Sequence, residues 1–191
     1  MPLQGLFAFD MITDERSGSV KKTVESYFKT IADFPTEGIL FRDVTSVLGD
    51  ADGFKLAIDE MLGAIDGEAI DVIIGIEARG FMFAPVLAYT LGKPFVPVRK
   101  AGKLPRETVS ATYALEYGEA SIEMHADAIS PGDRVLIVDD LIATGGTAKA
   151  AANMVEELGG KVASFLFLAE LTYLDGREVL GDYKVHSIVE F

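Results

Sequence analysis

The chain has 191 residues, 49% hydrophobic and 25% charged, which is enough for one well-buried domain and too few for a second full one. It has no cysteine and only two distant histidines, His125 and His186, which excludes a disulfide framework, a thiolate nucleophile and a Cys-ligated metal, and argues against a His-based zinc site. A net charge of −13 disfavours attraction to a nucleic-acid backbone, and no apolar run approaches the roughly 18 residues of a membrane span.

The opening MPLQGLFAFDMITDER lacks a basic segment before its short apolar run and meets Asp10 early, so a secretory signal is a poor reading and a cytoplasmic location is expected. Residues 1–19 read as a flexible N-terminal extension of one domain spanning 1–191. Val20–Ile31 has helical spacing, and the DFPTEG that follows is a turn, interrupted by Pro35 and Gly38. Asp50–Leu62 reads as an amphipathic helix with Asp50 as N-cap. Asp71–Ile76 (DVIIGI) is a short β-branched run typical of a buried parallel strand, followed by a helix over Phe81–Leu91 and a strand over Phe95–Val98. From Lys100 to Ile122 the pattern weakens into a polar, Gly- and Pro-punctuated stretch, which fits a mobile hairpin or long loop of the kind that often serves as a lid. Val135–Val138 is a third buried strand, Thr147–Leu158 a helix ended by Gly159 and Gly160, and Val162–Leu168 a fourth strand. Strands alternating with helices imply an α/β fold, a doubly wound parallel sheet with flanking helices.

Charge is unevenly spread. Between Ala78 and Arg106 there is no Asp or Glu, yet Arg79, Lys93, Arg99, Lys100, Lys103 and Arg106 all fall there. A basic island in an acidic chain suits a small, highly charged anion, or else a solvated basic face; composition leaves both open.

The segment VLIVDDLIATGGT, Val135–Thr147, carries the chemistry. An apolar strand ends in Asp139 and Asp140 and enters a loop of small and hydroxyl residues before a helix. Backbone N–H groups from Ala143 through Thr144, Gly145, Gly146 and Thr147 are free at a helix start, the glycines let an anion approach, and two threonine hydroxyls add donors. That makes a phosphate cup. Carboxylates beside a phosphate would repel it, so Asp139 and Asp140 are expected to accept hydrogen bonds from sugar hydroxyls or to stabilise developing positive charge, unless they merely cap the helix. Neither GxxxxGK[ST] nor a GxGxxG at a strand end is present.

This segment resembles the ribose-phosphate signature of the type I phosphoribosyltransferases: a hydrophobic strand, Asp-Asp, small residues, then Thr-Gly-Gly-Thr. DFPTEGILFRDVTSVL (Asp33–Leu48), IEARGFMFAPVLA (Ile76–Ala88), RKAGKLPRETVSATYALEYG (Arg99–Gly118) and AELT (Ala169–Thr172) extend the likeness to the adenine phosphoribosyltransferase branch, from about Asp33 to the C-terminus. The resemblance implies the type I fold, with a flexible β-hairpin loop and a small N-terminal hood. It also implies a purine-salvage reaction joining N9 of adenine to C1 of phosphoribosyl pyrophosphate, giving AMP and pyrophosphate.

It further implies roles for particular residues. Thr144–Thr147 hold the 5-phosphate while Asp139 and Asp140 face the ribose hydroxyls. Arg79 grips pyrophosphate, with a cis peptide at Glu77–Ala78; Glu77 also reads as a plain surface acid. Arg99, Lys100 and Lys103 add positive charge around the pyrophosphate. Mg²⁺ is expected on substrate oxygens and water, with no dedicated protein ligands. Backbone groups of Leu40 read the N1 and N6 edge of adenine, and Phe41 and Leu171 sandwich the ring with Arg42 nearby, although core packing and an Arg42–Asp43 ion pair account for the same residues. Glu116 takes up the purine's excess proton at N7, and Tyr117 helps close the site. A homodimer is expected, and neither nucleic acid nor membrane as partner.

The chain departs from the family in its N-terminal extension and in Glu37, where many relatives have a second proline in the turn. Two other functions stay open: transfer to xanthine, hypoxanthine or guanine, and a non-catalytic nucleotide-sensing regulator of the same fold.

Overall fold

The computed structural model describes residues 22–115 and 118–191. The expected N-terminal extension, Glu116 and Tyr117 lie outside them. A 3-10 turn over Val24–Tyr27 leads into β1 (Lys29–Ala32), which pairs antiparallel with β2 (Leu40–Asp43) as a separate ribbon. The helix expected over Val20–Ile31 is therefore not found in its described part. All four residues of β1 are exposed, so a helix would have had no apolar stripe to bury there. The turn joining the two strands has a cis Phe34–Pro35 peptide, and the Gly38 N–H donates to Asp33 Oδ1 at 2.7 Å.

The short α1 (Thr45–Leu48) precedes α2 (Ala51–Ala64), whose N-terminus is capped as expected: the Asp50 carboxylate accepts from the N–H groups of Asp52 and Gly53 at 3.0 Å each. β3 (Val72–Ile76) is buried along its whole length. The expected helix over Phe81–Leu91 divides into a 3-10 turn, Arg79–Met82, and α3 (Ala84–Leu91), because Pro85 sets a new first turn.

β4 (Phe95–Lys100) runs two residues past its expected end. Its Phe95–Val98 portion is parallel to β3, while Arg99 and Lys100 pair antiparallel with a hairpin formed by β5 (Thr108–Leu115) and β6 (Gly118–His125). The stretch left as hairpin or loop is thus largely strand. Its period-2 signal lies in Val109, Ala111 and Tyr113, which pack on the core in alternation with polar residues.

The chain continues through β7 (Arg134–Ile142), α4 (Gly146–Glu157) and β8 (Lys161–Glu170). A 3-10 turn, Thr172–Leu174, then leads to α5 (Gly176–Leu180) and β9 (Val185–Glu190). β7 was expected to stop at Val138 and instead carries both aspartates inside the strand. The half-buried β9, VHSIVE, has no apolar run to betray it.

The main sheet has the order β5-β6-β4-β3-β7-β8-β9, with β4, β3, β7, β8 and β9 parallel. From the centre the chain winds outward to β4 on one side and through β8 to β9 on the other, so the order reverses between β3 and β7, where open α/β sheets form a ligand crevice. Alternate residues of these strands feed two cores. Ile74, Ile76, Val135, Ile137, Phe165 and Phe167 pack beneath α4. Ile73, Leu136, Val138, Leu166 and Leu168 pack beneath α2 and α3. Both faces being covered explains why β3 and the first half of β7 are uninterrupted apolar runs.

Candidate active site

The carboxyl ends of β3 and β7 meet at the reversal point. Asp139 and Asp140 are consecutive strand residues, so their side chains leave opposite faces of β7. Asp140, almost fully buried, accepts a hydrogen bond at Oδ2 from Nε of Arg79, which stands just beyond β3. Asp139 accepts the Asp140 N–H at Oδ1, 2.8 Å away. Desolvation, and after it the neighbouring Asp140 charge, push the Asp139 carboxyl well above the usual carboxylate range, against the pull of that N–H and of Arg79. Neither aspartate caps α4, whose N-cap is Gly145 at φ 78°. The helix-capping reading of the pair is therefore set aside.

Beyond β7 the chain turns through Ala143–Gly145 into α4, and the first N–H groups of this helix have no intrahelical acceptor. Thr144 is exposed and Thr147 half-buried, so their hydroxyls border the same opening. The positive end of a three-turn helix and a set of free N–H donors at one point favour a phosphate-sized anion.

Glu77, at the end of β3, precedes a cis Glu77–Ala78 peptide, as the resemblance implied. It is not a simple surface acid, because its side chain is only 18% exposed. Its Oε2 accepts from Arg99 Nε and from the Lys100 N–H, each at 3.1 Å. Burial works to raise its pKa, but those two donors and the Arg99 charge outweigh it and hold the carboxyl below its ordinary value. Arg99 also donates from Nη1 to the Lys103 carbonyl at 3.2 Å, and buried Glu123 accepts the N–H groups of Lys103 and Leu104 at 2.9 Å. The basic turn after β4 is thus fastened at both ends.

A cavity of about 380 Å³ gathers Glu77, Ala78, Arg79, Lys100, Asp139, Asp140 and the whole Ala143–Thr147 loop. Arg99, Lys103, Leu40, Phe41, Arg42 and Leu171 are not in its wall. Of the basic island only Arg79 and Lys100 reach it; Arg106 pairs with Asp127, and Lys93 borders a separate pocket beside Asp66 and Glu68. On the ribbon, Leu40 is half exposed and Phe41 packs edge-on against Phe34. Arg42 donates to Thr30 Oγ1 at 2.5 Å and lies over the Phe191 ring, while Asp43 accepts from Thr45 instead. Leu171, half-buried at the end of β8, donates its N–H to the Ile142 carbonyl at 3.0 Å. Tyr113 of β5 also lines the cavity and had not been singled out; its place in an alternating TVSATYAL run was the available signal.

The sequence model of the phosphoribosyl transferase domain matches residues 45–187, well over half of the chain. The chain is 62% identical over 170 residues to the adenine phosphoribosyltransferase of Agathobacter rectalis, covering 89% of this chain and 98% of that relative. The solved adenine phosphoribosyltransferase of Thermoanaerobacter pseudethanolicus superposes with a TM-score of 0.85 at 52% identity, over 88% of this chain and 98% of that one. That of Saccharomyces cerevisiae, solved with an imino-altritol bisphosphate and adenine, gives 0.81 at 43% identity, over 86% and 96%. Sheet order and near-full-length likeness agree: the chain belongs to the phosphoribosyltransferase family and has its type I fold.

Proposed function

We propose that the chain transfers the 5-phosphoribosyl group of phosphoribosyl pyrophosphate to N9 of adenine, giving AMP and pyrophosphate in purine salvage. The observation that carries this reading is the single cavity that joins the α4 phosphate loop and the Asp139–Asp140 pair to Arg79 and Lys100. A sugar phosphate fits the first pair of features and a pyrophosphate leaving group fits the second.

Ribosyl transfer passes through an oxocarbenium-like state, so the protein must orient the ribose, stabilise the departing pyrophosphate and exclude water. In this reading the N–H groups of Ala143–Thr147 fix the 5-phosphate, and Asp139 and Asp140 take the ribose hydroxyls. Arg79, released from Asp140 as the ligand enters, and Lys100 receive charge building on the pyrophosphate. Arg99 and Lys103 act from just outside the cavity, where Glu77 holds the Arg99 guanidinium and Glu123 the Lys103 backbone N–H. An N–H donor and a C=O acceptor at Leu40 suit N1 and the 6-amino group of adenine and mismatch a 6-oxopurine. Phe41 and Leu171 are assigned to the ring faces, Arg42 to their edge, and Glu116 to the proton at N7.

Mg²⁺ is the proposed cofactor. Among the described residues no group of three or more His, Cys, Asp or Glu is gathered to hold an ion. Two carboxylates, one of them engaged by Arg79, fit an ion carried on pyrophosphate and ribose oxygens and water. When bound, it supplies positive charge against the leaving group.

A cytoplasmic homodimer is proposed as well. The exposed apolar side chains of Met82, Tyr89 and Leu91 around α3 support a covered face, and among the described residues no helix is long and apolar enough to cross a membrane. A fully active monomer by light scattering at assay concentration would refute the dimer. The decisive test of function is a side-by-side assay of adenine, hypoxanthine, guanine and xanthine with phosphoribosyl pyrophosphate and Mg²⁺. Adenine is expected to lead. Preference for another base would reassign the acceptor, and binding of phosphoribosyl pyrophosphate with no pyrophosphate release would favour a regulator.

A further inference from the structure

The phosphate loop is shaped from behind by a segment that the proposed reaction does not use. A Cβ built on Gly145 would lie 2.3 Å from the Gly176 carbonyl oxygen. One built on Gly176 would lie 2.1 Å from the Ala143 carbonyl oxygen and 3.0 Å from the Gly145 nitrogen. The loop and the start of α5 therefore touch backbone to backbone, and the position of one dictates the position of the other. α5 is only five residues long and has no side-chain cap at its N-terminus, so its placement must come from elsewhere.

Arg177 provides it. Its Nε donates to Glu170 Oε1 at 3.1 Å and its Nη2 to Glu170 Oε2, a two-pronged pair. Nη1 reaches the Val185 carbonyl at 3.0 Å and Nη2 the Ser187 hydroxyl at 3.2 Å. Glu170 is 6% exposed, accepts Ser187 Oγ at 2.6 Å, and stands in register opposite Ile142, the last residue of β7 before the loop. The guanidinium thus ties α5 to β8 and β9, and through Glu170 to the strand paired with the end of β7, with the planar geometry that an ammonium group cannot copy.

We infer that Arg177 is a positioning residue for the 5-phosphate: by locking α5 to Glu170 it holds Gly176 against Ala143 and Gly145 and so aims the loop N–H groups. The inference rests on the reading of that loop as the phosphate cup. Of the adenine residues, Leu40–Arg42 sit on a separate ribbon, and Leu171, although it follows Glu170, is held by its own N–H bond to the Ile142 carbonyl, so adenine binding should be affected far less.

The test compares wild type with Arg177→Gln, Arg177→Lys and Gly176→Ala. Steady-state kinetics would vary each substrate in turn, alongside calorimetric titration of phosphoribosyl pyrophosphate without purine. Arg177→Gln and Gly176→Ala are expected to raise KM for phosphoribosyl pyrophosphate by about tenfold or more and to weaken its calorimetric affinity in parallel, with KM for adenine within about twofold. Arg177→Lys should fall between them and wild type. Gly176→Ala disturbs the contact while leaving the ion pair in place, so it decides the matter even if Arg177→Gln folds poorly. Equal rises in both KM values, or lowered melting temperature with unchanged affinity for phosphoribosyl pyrophosphate, would overturn the positioning role. Wild type that binds phosphoribosyl pyrophosphate but transfers nothing to adenine would defeat the proposed reaction alone, and the variants' affinities would still decide the role of Arg177.

Discussion

Replacing Gly80 by alanine tests the site at its tightest point. Gly80 lies in the 3-10 turn that carries Arg79. A Cβ there would sit 2.8 Å from the Val138 carbonyl oxygen, 2.9 Å from Asp139 Oδ1 and 3.1 Å from Asp139 Cα. The first and last are backbone atoms of β7, the central strand, and cannot yield as a flexible side chain would. Ordinary contact begins at 3.4 Å, so the turn must retreat by roughly 0.6 Å, taking Arg79 away from Asp140 and the cavity. A misplacement of about 1 Å can cost on the order of 10²-fold in rate, so kcat/KM for phosphoribosyl pyrophosphate should fall on the order of tenfold. Overpacking of this kind costs about 1–3 kcal/mol, which for a chain of this size lowers the melting temperature by about 2–12 °C. Gly80 does not have a positive φ, so the variant isolates space from backbone conformation. Gly63→Ala is the matched control: in the exposed last turn of α2 nothing lies within 4 Å of its Cβ, and it should be neutral or slightly stabilising. The assay is initial-rate kinetics at saturating adenine with calorimetric melting of both variants. Gly80→Ala with kcat/KM within twofold of wild type and an unchanged melting temperature would refute the reasoning, because the turn would then have room that the geometry denies.

Three further outcomes are expected. Glu116→Gln should lower turnover by about 10²-fold while weakening phosphoribosyl pyrophosphate binding far less; unchanged turnover removes Glu116 from the mechanism. Asp139→Asn combined with Asp140→Asn replaces carboxyl acceptors by amides, with each lost hydrogen bond worth on the order of 1 kcal/mol, so kcat/KM should drop about tenfold, and wild-type activity would cancel the ribose role. The Arg177 fork, with Ser187 behind it, holds the Glu170 carboxyl below its ordinary 4.5 against the opposing effect of burial. A depressed carboxylate contributes stability that is complete above about pH 4.5 and is lost as pH falls through its folded value. The melting-temperature gap between wild type and Arg177→Gln should therefore be widest near neutrality and close on acidification; a gap that widens in acid contradicts the assignment.

What could be read from the sequence follows from where each signal resides. β3 was legible because every residue of VIIGI is buried, and the α2 cap because Asp50 acts on donors two and three residues away. The loop after β7 was legible because glycines, hydroxyls and carboxylates are consecutive in the chain. The spacing over Val20–Ile31 misled because its apolar residues are divided: Val24, Tyr27 and Phe28 lie before β1 and pack on the core, while Ile31 is exposed on the ribbon; β9 was silent because half-burial mixes His186 and Ser187 into the pattern. The Arg99, Lys100 and Lys103 cluster suggested three ligands for an anion, yet only Lys100 borders the cavity: the Arg99 guanidinium is held by Glu77, and Glu123 fixes the Lys103 backbone, each from 20 or more residues away. Arg177 was invisible for a similar reason. Its meaning depends on β8 and β9 lying side by side and on α5 folding back onto the loop, neither of which leaves a local trace.

β4 changes partner partway along its length, parallel to β3 up to Val98 and antiparallel to β6 from Arg99. The hairpin is therefore not a flap hung from a linker but a continuation of the central sheet's own weave. The stitch where the weave reverses coincides with the N–H that Lys100 gives to Glu77. A pull on β6 is felt at the Glu77–Lys100 end of the cavity with no intervening joint to absorb it. Alterations at the root of the hairpin should consequently register as changes in chemistry, while those on its outer strand, β5, away from Tyr113, should register mainly as changes in durability.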